Sequence, residues 1–152
     1  MITNVMKGIA GALHETFGDK YTIYTENVKQ GFNEPCFYLF ALQPTNEAAI
    51  GGHYLRSYPF DIHYFPKDEN NAKAEMHHMA EALFLALEDI NVLDNLRRGS
   101  TMRYEIVDGV LHFFVTYSMY VKKISESAPT MDNITYNPTV GGEPNGNQIE
   151  KN

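Results

Sequence analysis

The sequence predicts an α+β fold: a mostly antiparallel sheet of about four to five strands packed by two main helices, with a flexible C-terminal arm. Three observations predict it. Asp108-Gly109 stands between two runs rich in β-branched and aromatic residues, at 102–107 and 110–124, the strongest short-range hairpin signal a chain offers. Two stretches, beginning near Ile2 and Ala72, carry apolar residues at helical spacing. From Ser125 the composition turns to Pro, Gly, Asn and Ser with few large apolar residues, too little to bury a core. The boundaries follow as a single α+β domain over 1–124 and an arm over 125–152.

The hairpin specifies its own register. A two-residue turn pairs Val107 with Val110, Ile106 with Leu111, Glu105 with His112, Tyr104 with Phe113 and Met102 with Val115. Because side chains alternate along a strand, one face collects Met102, Tyr104, Ile106, Leu111, Phe113, Val115, Tyr117, Met119 and Val121. The other collects Arg103, Glu105, Val107, Val110, His112, Phe114, Thr116, Ser118, Tyr120 and Lys122. A slip of one residue would bury the charges. The second strand outruns the first, so from Thr116 onward it needs another strand, or another copy of the chain, as its partner.

The remaining elements follow in chain order. Ile2, Val5, Met6, Ile9, Ala10, Leu13 and Phe17 mark a first helix, with Thr3 or Asn4 as N-cap and Gly18 as its stop. Gly8 and Gly11 weaken its interior but permit close approach to a neighbour. An amphipathic helix covering the sheet explains this stretch better than a docking helix at a subunit boundary. Residues 21–26 alternate as a short strand, and 27–35 form a polar connection. Residues 36–43 are apolar on both faces and read as a central strand covered on both sides. Cys36 lies in that run without a Cys-His motif around it and reads as a small core residue.

Residues 44–52 read as a loop; its glycines lack the lysine and following helix that a phosphate loop needs. Residues 54–65 form a long strand. Tyr58, Phe60, Ile62 and Tyr64 share one face, Ser57, Pro59, Asp61 and His63 the other. Pro59 cannot donate to a ladder, so an edge or a bulge is expected there. The second helix spans about 72–89, with Met76, Met79, Ala80, Leu83, Leu87 and Ile90 buried and Glu75, Glu81 and Glu88 facing water. Residues 91–100 read as a connection with at most a short strand at Val92-Leu93, and Arg97-Arg98 as exposed arginines in a turn. In the arm, Ile134 and Tyr136 are the strong apolar anchors.

Composition narrows the function. The net charge is −7 and the pI about 5.3, which excludes a nucleic-acid wrapper with a basic face; direct nucleic-acid recognition is not expected. No run approaches the roughly 20 apolar residues of a membrane span, and the first residues lack the pattern of a signal peptide. A single cysteine excludes an internal disulfide framework. His77 and His78 are adjacent and point about 100° apart on a helix, so they do not share an ion. Asp61, His63, Glu105 and His112 fall on polar strand faces and would form a carboxylate–imidazole cluster if their strands were neighbours. An ordinary Glu105–His112 cross-strand pair on a solvated or subunit-facing surface accounts for them better. No ligand quartet has the spacing of a structural metal site. No catalytic, cofactor or metal residue is therefore assigned. Phe114 and Tyr120 among Arg103, His112 and Lys122 make a face too apolar for plain water and too polar for a core. Such a composition suits a subunit interface.

Tyr21-Thr-Ile-Tyr-Thr-Glu26, Glu34-Pro-Cys-Phe37, Tyr64-Phe-Pro-Lys-Asp68, Arg103-Tyr-Glu-Ile-Val-Asp-Gly-Val110 and Tyr136-Asn-Pro138, in that order, resemble the phage tail terminator family encoded in prophages of Gram-positive bacteria. The resemblance runs to about Gly142 and rests on the order and spacing of all these segments. It implies a structural virion protein with no catalytic residues, assembled in the host cytoplasm. Such a protein closes as a hexameric ring on the last ring of the tail tube, stops tube growth and presents the surface that joins the head. The implied partners are further copies of the chain, the tail tube protein and the head-tail connector protein. Two alternatives stand beside it. One is a neck or head-completion adaptor. The other is a small ligand-binding or hydrolytic domain using the Asp61/His63/Glu105/His112 face.

Overall fold

A computed structural model describes residues 1–25, 31, 33–68 and 70–124, and the backbone of two short strands beyond them. The chain divides into two units, Met1–Lys122 and Lys123–Asn152. The first opens with helix α1 (Ile2–Phe17), followed by strands β1 (Thr22–Tyr24), β2 (Cys36–Ala41), β3 (Thr45–Ala48) and β4 (His53–Phe65). Helix α2 (Ala72–Ala86) leads into β5 (Asp89–Val92), β6 (Asn95–Val107) and β7 (Val110–Lys122). The strands form one seven-stranded sheet in the order β1-β2-β4-β7-β6-β5, with β3 also beside β4. Among the described residues, β1–β2 is the one parallel pair of this sheet. In the second unit, β8 (Ile134–Tyr136) pairs antiparallel with β9 (Ile149–Lys151). The expected mobility of the arm otherwise lies outside the described residues, as does most of the connection at 27–35.

The sheet is mixed and has seven strands where about four to five were expected. Of the two additional strands, β3 was not expected, and β5 was foreshadowed only by the short strand at Val92-Leu93, which it overlaps at Val92. β3 is exposed throughout, with no apolar alternation, and forms only because β4 offers it a ladder from Tyr54 to Ser57. β5 turns into β6 through Leu93 and Asp94, both at positive φ (50° and 61°), where glycine or asparagine would have signalled the hairpin. Arg97 and Arg98 therefore lie in a strand, paired with Ile90 and Asp89, and not in a turn. Pro59 is not at an edge. Its strand is central, and Pro59 sits at the join where β2 gives way to β3 as the neighbour of β4, its carbonyl accepting from the Leu42 N–H at 2.9 Å.

The hairpin keeps the expected register from Val107–Val110 to Arg103–Phe114, and then departs from it. Met102 does not face Val115: a bulge between Ser100 and Arg103, with Thr101 at φ 52°, realigns the strand so that Ser100 meets Thr116 and Gly99 meets Tyr117. Gly99 makes this possible, because a Cβ there would lie 2.7 Å from the Leu87 carbonyl oxygen and 2.9 Å from Val115. The far end of β7 is met on one side by β4, from Pro59–Thr116 to His53–Lys122. On the other side its pairing with β6 ends at Tyr117.

Both helices pack on one face of the sheet. The core joins Val5, Ile9 and Leu13 of α1 and Met76, Met79, Ala80 and Leu83 of α2 to Phe37, Leu39, Phe60, Ile62, Tyr64, Leu111, Phe113, Val115 and Tyr117 of the strands. Each buried side chain of this size contributes roughly 1.5–3 kcal/mol. α1 starts at Ile2 with Met1 before it and no side-chain cap, so Thr3 and Asn4 lie inside the helix; Gly18 ends it as expected. α2 ends at Ala86, and Leu87 and Ile90 are buried beyond it. Glu75 is half-buried and accepts a hydrogen bond from the Tyr64 hydroxyl, so it does not simply face water.

Candidate functional site on the open sheet face

The face of the sheet away from the helices is built from the odd-numbered positions of β4 and the even-numbered positions of β2 and β7. The long antiparallel β4–β7 ladder sets Asp61 opposite Phe114 and His63 opposite His112. On the other flank, Phe40 of β2 pairs with Asp61 and Tyr38 with His63. β6 adds Arg103 opposite Phe114 and Glu105 opposite His112.

At the centre lies Asp61, 8% exposed and the buried charged residue of the described chain. Its Oδ2 accepts from His63 Nε2 at 2.8 Å and from His112 Nδ1 at 3.0 Å. Burial alone would push this carboxyl up, but the hydrogen bonds and charge of His63 and His112 prevail and hold it below the ordinary carboxylate range. Its Oδ1 is buried without a hydrogen-bond partner. The imidazole centroids are 4.2 Å apart. Phe40 stacks beside His63 at 6.3 Å and 21°, and Phe114 beside His112 at 6.4 Å and 17°. Arg103 carries its guanidinium 4.0 Å above the Phe114 ring, a cation–π contact.

Of the four residues expected as a possible cluster, three meet. Glu105 faces His112 in register, yet His112 turns its Nδ1 to Asp61 and leaves the anticipated Glu105–His112 pair unmade. The sequence placed Asp61 and His63 on one strand face but held nothing that set β4 beside β7, and that adjacency creates the site. Of the five expected interface residues, Arg103, His112 and Phe114 form one contiguous group. Tyr120 and Lys122 share their face but stand near the end of β7, opposite Leu55 and His53. Tyr120 is 70% exposed, and Phe40 adds a further ring that is 46% exposed. His77 lies elsewhere, its Nδ1 2.9 Å from the Tyr104 hydroxyl. Cys36 is buried; its burial, aided by the charge of Glu34, pushes the thiol up to about 11, which keeps it protonated and unreactive near neutrality.

The fold and this face define an α+β domain whose polar chemistry is gathered on an open sheet surface, with its core sealed on the opposite side by two helices. The chain belongs to the phage tail terminator protein family, whose family model matches residues 4–129. Tail terminators are structural proteins, components of the phage particle that act with other tail and head proteins. No helix of the described residues is long and apolar enough to cross a membrane. No curated protein matches the chain. Among solved structures, one at 13% identity aligns over 80% of this chain and 98% of its own, with a TM-score of 0.34, a likeness that carries no argument.

Proposed function

We propose that copies of this chain close as a hexameric ring on the last ring of the tail tube, stop its growth and present the surface to which the head connector docks. Family membership over residues 4–129 carries this reading. The open face supports it. Arg and aromatic side chains are enriched in interface cores, and here Arg103, His112, Phe114, Tyr120 and Lys122 share one exposed sheet surface with Phe40. Beyond Tyr117, β7 pairs on its β4 side alone among the described residues, and an uncovered strand edge is a ready acceptor for a neighbour's strand.

Charge sets the conditions. Every copy carries −7, so free subunits repel one another, and a tail tube with complementary surface would offset that repulsion. A sedimentation series should show monomer at low concentration and rings at high concentration or on purified tail tubes. Tyr120→Asp should remain monomeric throughout with an unchanged melting temperature. A wild-type chain that stays monomeric at every concentration and also with tubes would overturn the proposal.

A further inference from the structure

We propose that Asp61, His63 and His112 form a binding site for one divalent transition-metal ion of the zinc type. The three side chains offer one ligand atom each, and those atoms lie within 4.8 Å of one another. Zinc ligands about 2.0–2.2 Å from the ion stand roughly 3–3.5 Å apart in a tetrahedron. The two imidazole nitrogens already lie 2.8 and 3.0 Å from Asp61 Oδ2, and side-chain rotations that draw the two nitrogens toward each other complete the ligand triangle.

A second observation points to a ligand independently of this spacing. Asp61 Oδ1 is sealed from solvent with no donor, and an unsatisfied buried carboxylate oxygen is costly. A cation, or a water held by it, supplies what the protein does not. The imidazoles are fixed by the β4–β7 ladder and flanked by Phe40 and Phe114, so little side-chain freedom remains to be lost on binding. Each would coordinate through the nitrogen that now faces Asp61, its proton moving to the far nitrogen or to solvent. Two imidazoles and one carboxylate select zinc, cobalt, nickel or copper over magnesium and calcium, which prefer oxygen ligands. The His63 and His112 side chains are 21% and 22% exposed, leaving solvent access for water to complete the coordination. The core lies on the opposite face, so the ion pins β4 to β7 without being needed for folding, and it brings a divalent positive charge to the cluster.

The test is equilibrium dialysis of the untagged full-length chain against Zn²⁺, with metal analysis, and titration with Co²⁺ followed by visible absorption. One equivalent per chain is expected, not displaced by excess Mg²⁺, lost in His63→Ala/His112→Ala and retained in His77→Ala/His78→Ala. No stoichiometric uptake, or uptake that survives His63→Ala/His112→Ala or disappears in His77→Ala/His78→Ala, overturns the site. If the double alanine variant at 63 and 112 does not fold, the wild-type imidazole proton resonances decide. Zn²⁺ should shift those of His63 and His112 selectively, and shifts confined to other histidines overturn the site.

Discussion

Single residues carry the clearest consequences at Cys36 and Asp61. The Cys36 thiol is raised from 9.0 to about 11 in the folded chain. A raised acid binds its proton more tightly when folded, so the resulting stability is complete below the unfolded value and is lost as pH rises through the folded one. Folding stability should fall by about 2–3 kcal/mol between roughly pH 9 and 11 from this group, over and above the loss from Tyr64 and Tyr117, which are also raised by burial. In Cys36→Ala the denaturant midpoint should change less over that window; an identical slope in both proteins would show the thiol to be solvated. In line with this, labelling of Cys36 by a thiol reagent should require denaturant. The burial of Cys36 was legible in its sequence, because an apolar run on both strand faces leaves a small residue nowhere else to go. The role of Asp61 was not: one carboxylate beside a proline on a polar face carries no sign that a histidine fifty-one positions later will close on it.

Elements repeat this division between what is local and what depends on neighbours. The hairpin, both helices and the long β4 strand were legible because each has its own periodicity or turn signal. β3, the extent of β5 beyond the short strand allowed at Val92-Leu93, and the bulge at Ser100–Arg103 were not, because each exists through a partner: a ladder edge, a turn of non-glycine residues, a close approach at Gly99. The two glycines of α1 separate the same effects. A Cβ on Gly8 would lie 2.6 Å from the Asn91 carbonyl oxygen, whereas one on Gly11 meets nothing within 4 Å. Gly8→Ala should therefore destabilise the fold by about 1–3 kcal/mol through overpacking against β5. Gly11→Ala should stabilise it by up to about 1 kcal/mol through helix propensity. Thermal unfolding of both variants checks this, and equal shifts of the same sign would mean that α1 does not lie against β5 as described.

At the scale of the whole molecule, the two faces of the sheet divide the labour. One holds the apolar core of the first unit, which lies within Met1–Lys122. A chain cut after Ile124 should thus still unfold cooperatively, and ring formation should weaken without the removed residues; failure of the cut chain to fold would place part of the core in the second unit. The other face holds the aromatic and ionic side chains assigned to assembly. Its structure also decides how that assignment is probed. Phe114→Asp would set a second carboxylate opposite the buried Asp61 and disturb folding by like-charge repulsion. Tyr120 stands clear of the cluster and is 70% exposed, so a charge there perturbs the surface alone. The most direct measurement is the length of tails in electron micrographs of particles made with the wild-type chain or with folded, monomeric Tyr120→Asp. Tails of uniform length joined to heads are expected for the first, and tails of uncontrolled length without heads for the second. Uniform, head-bearing tails from the variant, and from cells lacking the chain altogether, would contradict it.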